Sequence, residues 1–449
     1  MTKSDRGKIC EKASEYVKAF TNREVSFKYL KRSYIFSLSV ELFSSADIDS
    51  GSRLLLKVFS SFLDDRRRSP TDKPIAVLDA GCGVGVLGIC AAGALQDMSG
   101  SGFFVRAQDR DNLACRFTEY NARRNGIGGE NLLAHTEPLL SGEADSEWDI
   151  ILTNIPAKAG KSVLKDFVRR SAAALKKDGR VFMVAVKPLS DFFRSCITAA
   201  AAPLFHEENG KEYTVFVYGK SEQTAESSPI IFDDNFPSDY PFYTRNTRNK
   251  NTYEMEGISY SLNTIEGAPD FDNPGGAVLA AAKLAVKANL FKTAGEKKEQ
   301  DIVIHGEGQG HFALWLAAYL GGRRRWTLSG RNVLALASAK AALKEALFEK
   351  APHEQTPVTI IPAADIFIDS DMFAHAPFDL TAFFLQTALE ANRVWQGITQ
   401  ITKPGGIVIT GMTSTEAERF DRKKPPSMRR LADCKRKGFR ALMYQAAKA

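Results

Sequence analysis

The sequence predicts an α/β chain made of two tandem copies of one doubly wound domain, the second of them degenerate. Three observations predict it. The stretch Ile75-Ala-Val-Leu-Asp-Ala-Gly-Cys-Gly-Val-Gly-Val-Leu-Gly88 reads as a buried strand, an acid at its end, a glycine turn and an apolar helix. Short apolar strands alternate with amphipathic helices as far as Tyr218. The second half then repeats the landmarks of the first, in the same order and at similar spacing.

Taken in order, residues 5 to 20 have the period of a short amphipathic helix, and Val25 to Leu30 and Tyr34 to Leu38 alternate as strands do. Asp49 or Ser50 is placed to cap a helix beginning near Ser52. Asp64 to Pro70 reads as a solvated loop before the organising strand. That strand ends in Asp79, and Gly81, Gly83 and Gly85 allow a tight turn and a close approach to the backbone. Phe103 to Gln108 is a second strand, ending in Asp109, with a helix from Leu113 to Arg124 closed by Asn125-Gly126. Leu132 to Thr136 is a short third strand followed by Glu137. Trp148 to Thr153 is a buried fourth strand that runs into Asn154. A helix from Val163 to Leu175 leads through Lys177-Asp-Gly-Arg180 into the strand Val181 to Val186, and Tyr213 to Tyr218 is the last strand. The candidate ligand groups all lie at the carboxyl ends of strands, where a doubly wound sheet places its site.

The acid distinguishes the glycine turn from a phosphate cradle. A dinucleotide site wants bare N–H groups, and a Walker loop wants Gly-Lys-Ser/Thr. No Lys follows here, and a carboxylate faces the turn. That combination suits a cationic ligand such as S-adenosylmethionine, whose amino-acid end carries an ammonium. A strand-to-helix turn holding no ligand is the alternative. Asp109, at the end of the second strand, is placed to take the two ribose hydroxyls of a nucleoside cofactor, or to sit at a helix N-terminus stabilised by the dipole.

The length of 449 residues suggests two or three domains. The expected division is residues 1–222, the catalytic domain, and 223–449, a degenerate copy serving as scaffold or substrate-binding domain. Ser221 to Asn251, poor in aliphatics and rich in Ser, Asp, Asn and Pro, reads as the linker. Hydrophobic content of 44% suffices for globular cores. The cysteines have no metal-site spacing and read as reduced thiols of a cytoplasmic protein. No apolar run approaches membrane-spanning length, and the N-terminus lacks a signal core. A net charge of +7 permits a nucleic-acid partner without requiring one. A duplicated chain mimics a dimer internally, so a monomer is expected.

In the repeat, Asp79-Ala-Gly-Cys-Gly-Val-Gly85 aligns with Ile304-His-Gly-Glu-Gly-Gln-Gly310, and Gln108-Asp-Arg-Asp-Asn-Leu-Ala114 with Ser329-Gly-Arg-Asn-Val-Leu-Ala335. Trp148-Asp-Ile aligns with Phe378-Asp-Leu380, and Lys177-Asp-Gly-Arg180 with Lys403-Pro-Gly-Gly406. The copies differ where chemistry would sit: Asp79 becomes Ile304, Asp109 becomes Gly330, and Asn154-Ile-Pro-Ala becomes Phe384-Leu-Gln-Thr387. Copy one is therefore read as the reacting copy. Copy two ends in a basic stretch with Arg422, Lys423, Lys424, Arg429, Arg430, Lys435, Arg436, Lys437, Arg440 and Lys448, and carries a second cluster at Arg323-Arg-Arg-Trp326. These read as phosphate contacts for RNA, or as a solvated face.

With these residues in hand, the chain resembles the tandem-duplicated ribosomal RNA guanine-N2 methyltransferases of bacteria, over most of both halves. The family's Phe-Ser…Asp-x-Gly-Thr…Leu-Leu segment is matched by Phe43-Ser44, Asp49, Gly51, Leu54 and Leu55. Its Asn-Pro-Pro-Phe-His-x-Gly motif aligns with Asn154-Ile155-Pro156-Ala157-Lys158-Ala159-Gly160, and its closing Lys-Val-Tyr with Phe216-Val217-Tyr218, without the Lys. Familiar members have the degenerate half first; here the active half comes first. The resemblance implies two tandem Rossmann-like methyltransferase domains using S-adenosylmethionine. It implies that Asp79, Gly81, Gly83 and Gly85 hold the methionine end, that Asp109 binds the ribose and that Glu137 meets the adenine amine. It further implies that Asn154 and the backbone beside Pro156 accept hydrogen bonds from the exocyclic amine of an rRNA base. The family's aromatic, which stacks on the flipped base, is Ala157 here; either another ring, Phe43, Phe205 or Tyr213, replaces it, or the substrate is not the family's guanine. Two other functions stay open: methylation of a protein glutamine or small amine, and a non-catalytic RNA-binding assembly role.

Overall fold

The computed structural model describes the chain outside residues 1–13, 16, 44, 69–72, 99–101, 141–146, 222–251, 266, 271–272, 291–299, 322–323, 351–356, 368, 374, 385–389 and 449. The chain divides into two compact units, Met1–Pro237 and Ser238–Ala449. Most of the expected linker, residues 222–251, lies outside the described residues, as does most of the expected N-terminal helix, of which residues 14–15 and 17–20 are helical.

The first unit opens with an antiparallel hairpin, β1 (Arg23–Tyr29) and β2 (Arg32–Leu38). A helix at Ser50–Arg68 follows. It absorbs the expected loop: Asp64-Asp-Arg-Arg-Arg68 continues the helix, because neither Asp nor Arg breaks a helix and Arg is a good helix former. A seven-stranded sheet comes next, built from β3 (Ile75–Ala80), β4 (Phe103–Asp109), β5 (Leu132–Thr136), β6 (Trp148–Asn154), β7 (Leu175–Val186), β8 (Leu204–Asn209) and β9 (Tyr213–Tyr218). Its order is β5-β4-β3-β6-β7-β9-β8. The first five strands are parallel; β9 runs antiparallel to β7, and β8 antiparallel to β9. The order reverses at β3, so the carboxyl ends of β3, β4 and β6 meet at the switch point. The helix at Val86–Gln96 is buried from Val86 to Leu95, which explains its nearly uniform apolar sequence. β8, with the sequence LFHEEN, was not expected. It is an edge strand paired on one side only and carries no buried face to give it a pattern.

The second unit repeats this plan. A hairpin, β10 (Thr252–Met255) and β11 (Ile258–Ser261), precedes a sheet of β12 (Gln300–His305), β13 (Arg324–Gly330), β14 (Val358–Pro362), β15 (Phe378–Phe384), β16 (Thr402–Thr413), β17 (Met428–Arg436) and β18 (Phe439–Ala446). Its order, β14-β13-β12-β15-β16-β18-β17, is that of the first sheet. Alternate residues of the central strands pack to opposite faces: Ile302 and Ile304 join a core with Phe312 and Trp315. Val303 joins another with Trp395, Phe420 and Tyr444.

The repetition extends to irregularities. The β6–β7 pairing slips between Trp148 and Ile150, and the β15–β16 pairing slips between Phe378 and Leu380. Asp149 Oδ2 accepts from Ala76 N at 2.9 Å and from Lys176 Nζ at 2.7 Å. Asp379 Oδ2 likewise accepts from Asp301 N at 3.0 Å and from Lys403 Nζ at 2.7 Å. Lys403 therefore corresponds to Lys176 rather than to Lys177, and Gly406 to Gly179. Both glycines sit against the carbonyl at the bulge. A Cβ on Gly179 would lie 2.8 Å from the Trp148 carbonyl oxygen, and one on Gly406 3.1 Å from that of Phe378. The register of the repeat here is set by the bulge and the Asp–Lys staple. Gly179→Ala and Gly406→Ala should each destabilise their own unit by about 1–3 kcal/mol, read as a lowered denaturant midpoint.

Candidate active site

Three strand ends build the site. Asp79, second to last in β3, is fully buried. Its Oδ2 accepts from Gly88 N at 2.7 Å, in the first turn of the helix that follows the glycines. Gly88 is required there, since a Cβ would lie 2.8 Å from that oxygen. Its Oδ1 is buried and has no hydrogen-bond partner among the described residues. Burial, the Gly88 hydrogen bond working against it, and the nearby Asp109 together raise the Asp79 carboxyl to about 7. A rise of that size corresponds to about 4 kcal/mol held against the charged form.

Gly81, Gly83 and Gly85 all adopt positive φ, at 81°, 56° and 89°. A side chain on Gly85 would run into Ile89 and Thr118. Gly81 and Gly83 face open space: a Cβ on Gly81 would find nothing nearer than 3.9 Å, and one on Gly83 nothing within 4 Å. Asp109 closes the far side. Its Oδ2 accepts from Gly83 N at 3.1 Å and its Oδ1 from Asp111 N at 2.9 Å, while burial raises its carboxyl to about 6. An open glycine cradle beside a buried carboxylate oxygen without a partner fits a ligand that carries a cation, so the residues present fit S-adenosylmethionine.

Glu137 ion-pairs with Arg106 of β4, Nη2 to Oε2 at 2.7 Å. One of its oxygens is therefore occupied within the protein. Asn154 ends β6, which pairs directly with β3, so it stands beside the glycine turn. Its Nδ2 donates to Asp49 Oδ2 at 2.9 Å and to Ser52 Oγ at 3.0 Å. Asp49 also caps the helix at Ser50–Arg68, accepting from Gly51 N and Ser52 N, and takes a hydrogen bond from Tyr213 Oη at 2.9 Å. The Pro156 carbonyl accepts from Ala159 N at 3.0 Å in a short 3-10 turn. The backbone acceptor beside Pro156 is then the carbonyl of Ile155, whose side chain is buried. Ala157 and Lys158 are exposed.

Of the three rings considered for stacking, two are engaged elsewhere. The Tyr213 ring packs so close to Gly51 that a Cβ there would lie 2.8 Å from it. Phe205 lies under the Arg180 guanidinium, 3.7 Å from ring centre to Cζ. Phe43 is 65% exposed, on the loop that leads into Asp49.

The second copy shows the same turn with its glycines more closely covered. Gly306, Gly308 and Gly310 also have positive φ. Here a Cβ on Gly306 would lie 2.5 Å from the Phe384 carbonyl, and one on Gly308 2.7 Å from the Asp270 carboxylate. A cavity of about 50 Å³ remains among Gly306, Gly308, Gly330, Ala363 and Phe383. That holds a few waters, against ~300–1,000 Å³ for ordinary ligand sites. Ile304 replaces Asp79, but the helix amide is still served: Glu307 Oε2 accepts from Ala313 N at 2.9 Å. Sequence reasoning missed this, because Glu307 aligns with Cys82 and the acid has moved from the strand to the turn. Leu385 to Thr387, which align with Ile155 to Ala157, lie outside the described residues.

Residues 33–206 match the family model described as the methyltransferase small domain. An uncharacterised Bacillus subtilis protein, YbxB, is 29% identical over 163 residues, covering 36% of this chain and 73% of that protein. The ribosomal RNA small subunit methyltransferase C of Chromohalobacter salexigens is 28% identical over 148 residues, covering 32% of this chain and 39% of its own length. Among solved structures, the 16S rRNA N2 G1207 methyltransferase RsmC of T. thermophilus, in complex with AdoMet and guanosine, superposes with a TM-score of 0.60. The match covers 96% of this chain and all of that one at 14% identity, a likeness of fold across both halves.

The Asp79 carboxyl sets a pH dependence. Its folded value near 7 means that an arriving ammonium must expel a proton below that pH and need not above it. Affinity for S-adenosylmethionine should therefore rise about tenfold between about pH 6 and pH 8 and then level, measured by calorimetry. Asp79→Asn should flatten the profile, and Asp79→Ala should abolish binding while Ile304→Ala leaves it intact.

Proposed function

We propose that the first unit, whose residues 33–206 match the methyltransferase small-domain model, works as a methyltransferase with S-adenosylmethionine as its cofactor. On that premise we propose that the chain methylates an exocyclic base amine in ribosomal RNA, with guanine N2 as the favoured position. The observation that carries the reading is the meeting of two things on neighbouring strands. An open glycine turn whose buried carboxylate oxygen has no partner among the described residues ends β3, and an asparagine whose amide nitrogen is taken by Asp49 and Ser52, its oxygen meeting no donor among the described residues, ends β6.

Bound S-adenosylmethionine would supply an electrophilic methyl on a sulfonium. Asp79 would take the ammonium of its methionine end, and Asp109 its ribose hydroxyls. An exocyclic amine is a poor nucleophile, since its lone pair is delocalised into the ring. Asn154 Oδ1 and the Ile155 carbonyl would accept its two N–H groups and draw the nitrogen toward tetrahedral geometry. Positioning in a site shielded from water then does most of the catalysis. No strong base is required, because the amine becomes acidic as it is methylated. A paired base would be extruded to reach the site.

RNA contact is assigned to the second unit. Arg430, Arg436 and Arg440 are partly spent on Asp421, Glu256 and Asp433. Arg422, Lys423, Arg429, Lys435 and Lys437 are exposed and make no ion pair among the described residues. Arg429 and Lys435 lie on β17, the edge of the second sheet, where positive charge also blocks edge-to-edge pairing. Arg323 of the other basic cluster lies outside the described residues, and Arg325 pairs with Asp301. No helix among the described residues is long and apolar enough to cross a membrane.

The test is methyl transfer from labelled S-adenosylmethionine to ribosomal subunits isolated without this activity, followed by identification of the labelled nucleoside. Label in N2-methylguanosine is the expected result, and label in another base moves the substrate. Label in protein alone would favour the glutamine reading. Asn154→Ala should lower kcat by about 100-fold or more, with cofactor affinity unchanged.

A further inference from the structure

We infer that Asp49, Ser52 and Tyr213 form a brace that fixes which end of the Asn154 amide faces the acceptor, and so restricts the site to acceptors that present an N–H. The inference rests on the methyl-transfer reading above and deepens it. A side-chain amide is ambiguous by shape: its oxygen accepts, its nitrogen donates, and the two ends are nearly isosteric. Here the partners remove the ambiguity. Asp49 Oδ2 already gathers the N–H groups of Gly51 and Ser52 at 2.9 and 3.2 Å. An oxygen that gathers donors faces a third donor, so the Asn154 atom 2.9 Å from it is the nitrogen. Ser52 Oγ takes the second amide proton at 3.0 Å. Both N–H groups of Asn154 are then spent inside the protein, and only Oδ1 is left for the acceptor.

The brace is itself held from a distance. Tyr213, at the start of β9, donates to the other oxygen of Asp49 at 2.9 Å. Gly51 makes room for the ring that brings this hydroxyl in. Three separate pieces of chain therefore converge on one amide: the start of a helix, the end of β6 and the start of β9. A carbonyl or ether oxygen presented to Asn154 would meet another oxygen. A base amine, a glutamine amide or another N–H donor would be received. The brace thus selects the class of acceptor, and none of its three members need touch the cofactor.

The test separates the helix cap from the brace. Asp49→Ser keeps a capping hydroxyl but is too short to reach Asn154. In the full-length protein it should keep the thermal midpoint and the affinity for S-adenosylmethionine. It should lower kcat on unmodified ribosomal subunits by about 10- to 100-fold, with KM little changed. Asp49→Asn, which keeps an acceptor for Asn154, should restore most of the lost rate. Hydrogen exchange of the Asn154 side-chain amide, followed by NMR with asparagine labelled in nitrogen and identified by its loss in Asn154→Asp, gives a readout that needs no turnover. Slow exchange in the wild type and fast exchange in Asp49→Ser support the brace; equal exchange in the two overturns it. Changed exchange with an unchanged kcat overturns the positioning role. A wild type that methylates none of the acceptors overturns the functional reading and the positioning role with it, while the exchange comparison still decides the brace.

Discussion

The site depends on a carboxylate kept where a carboxylate is costly. Asp79 is buried at the end of a central parallel strand, and one helix amide is what holds it there. That single contact ties β3 to the helix at Val86–Gln96 across the glycine turn. It imposes glycine at position 88, and it leaves the second carboxylate oxygen unsatisfied. A buried acceptor without a partner is a standing free-energy cost, and a cationic ligand at the turn would relieve it. The left-handed glycines at 81 and 83 keep that approach open, and Asp109 holds the turn from the next strand.

The two units show which parts of this arrangement belong to the fold and which to chemistry. The slipped pairing after Trp148 and Phe378, the Asp–Lys staples and the three left-handed glycines occur in both. They stabilise the sheet whether or not anything binds. A helix amide capped by a buried acid also occurs in both, through Asp79 in one and Glu307 in the other. What differs is the space next to the glycines, where a Cβ on Gly81 or Gly83 would meet nothing nearer than 3.9 Å, and the residue at Asn154, which is Phe384 in the second unit. In the second, the Phe384 carbonyl and the Asp270 carboxylate fill that space. The second unit thus retains the capping requirement of the turn, with a cavity of about 50 Å³ beside its glycines.

Much of this was written in the order of residues. Strand and helix positions followed from apolar period, and the switch point from the acids and glycines at strand ends. The misses have common physical causes. The charged end of the helix at Ser50–Arg68 has the composition of a loop, and the acidic edge strand β8 carries no buried face, so neither shows an apolar period. The register of the repeat at Lys176 depended on a bulge, which periodicity does not report. Glu307 was hidden because an acid can serve the same amide from the turn as from the strand.

By itself the sequence determined the two-copy α/β architecture, the glycine turn with its acid and the identity of the groups at the strand ends. Each of these is local, read from neighbouring residues and their spacing. Only the tertiary structure decided what those groups are bound to. Asp49, Asn154 and Tyr213 are separated by 105 and 164 positions from their partners in the cluster. No short-range pattern reports that one amide nitrogen is spent and its oxygen left uncommitted. The same holds for the cover over the second turn, where Asp270 and Phe384 arrive from widely separated parts of the unit. Hydrogen-bond direction and open volume are properties of converging chain segments, and they appear only once the sheet has brought those segments together.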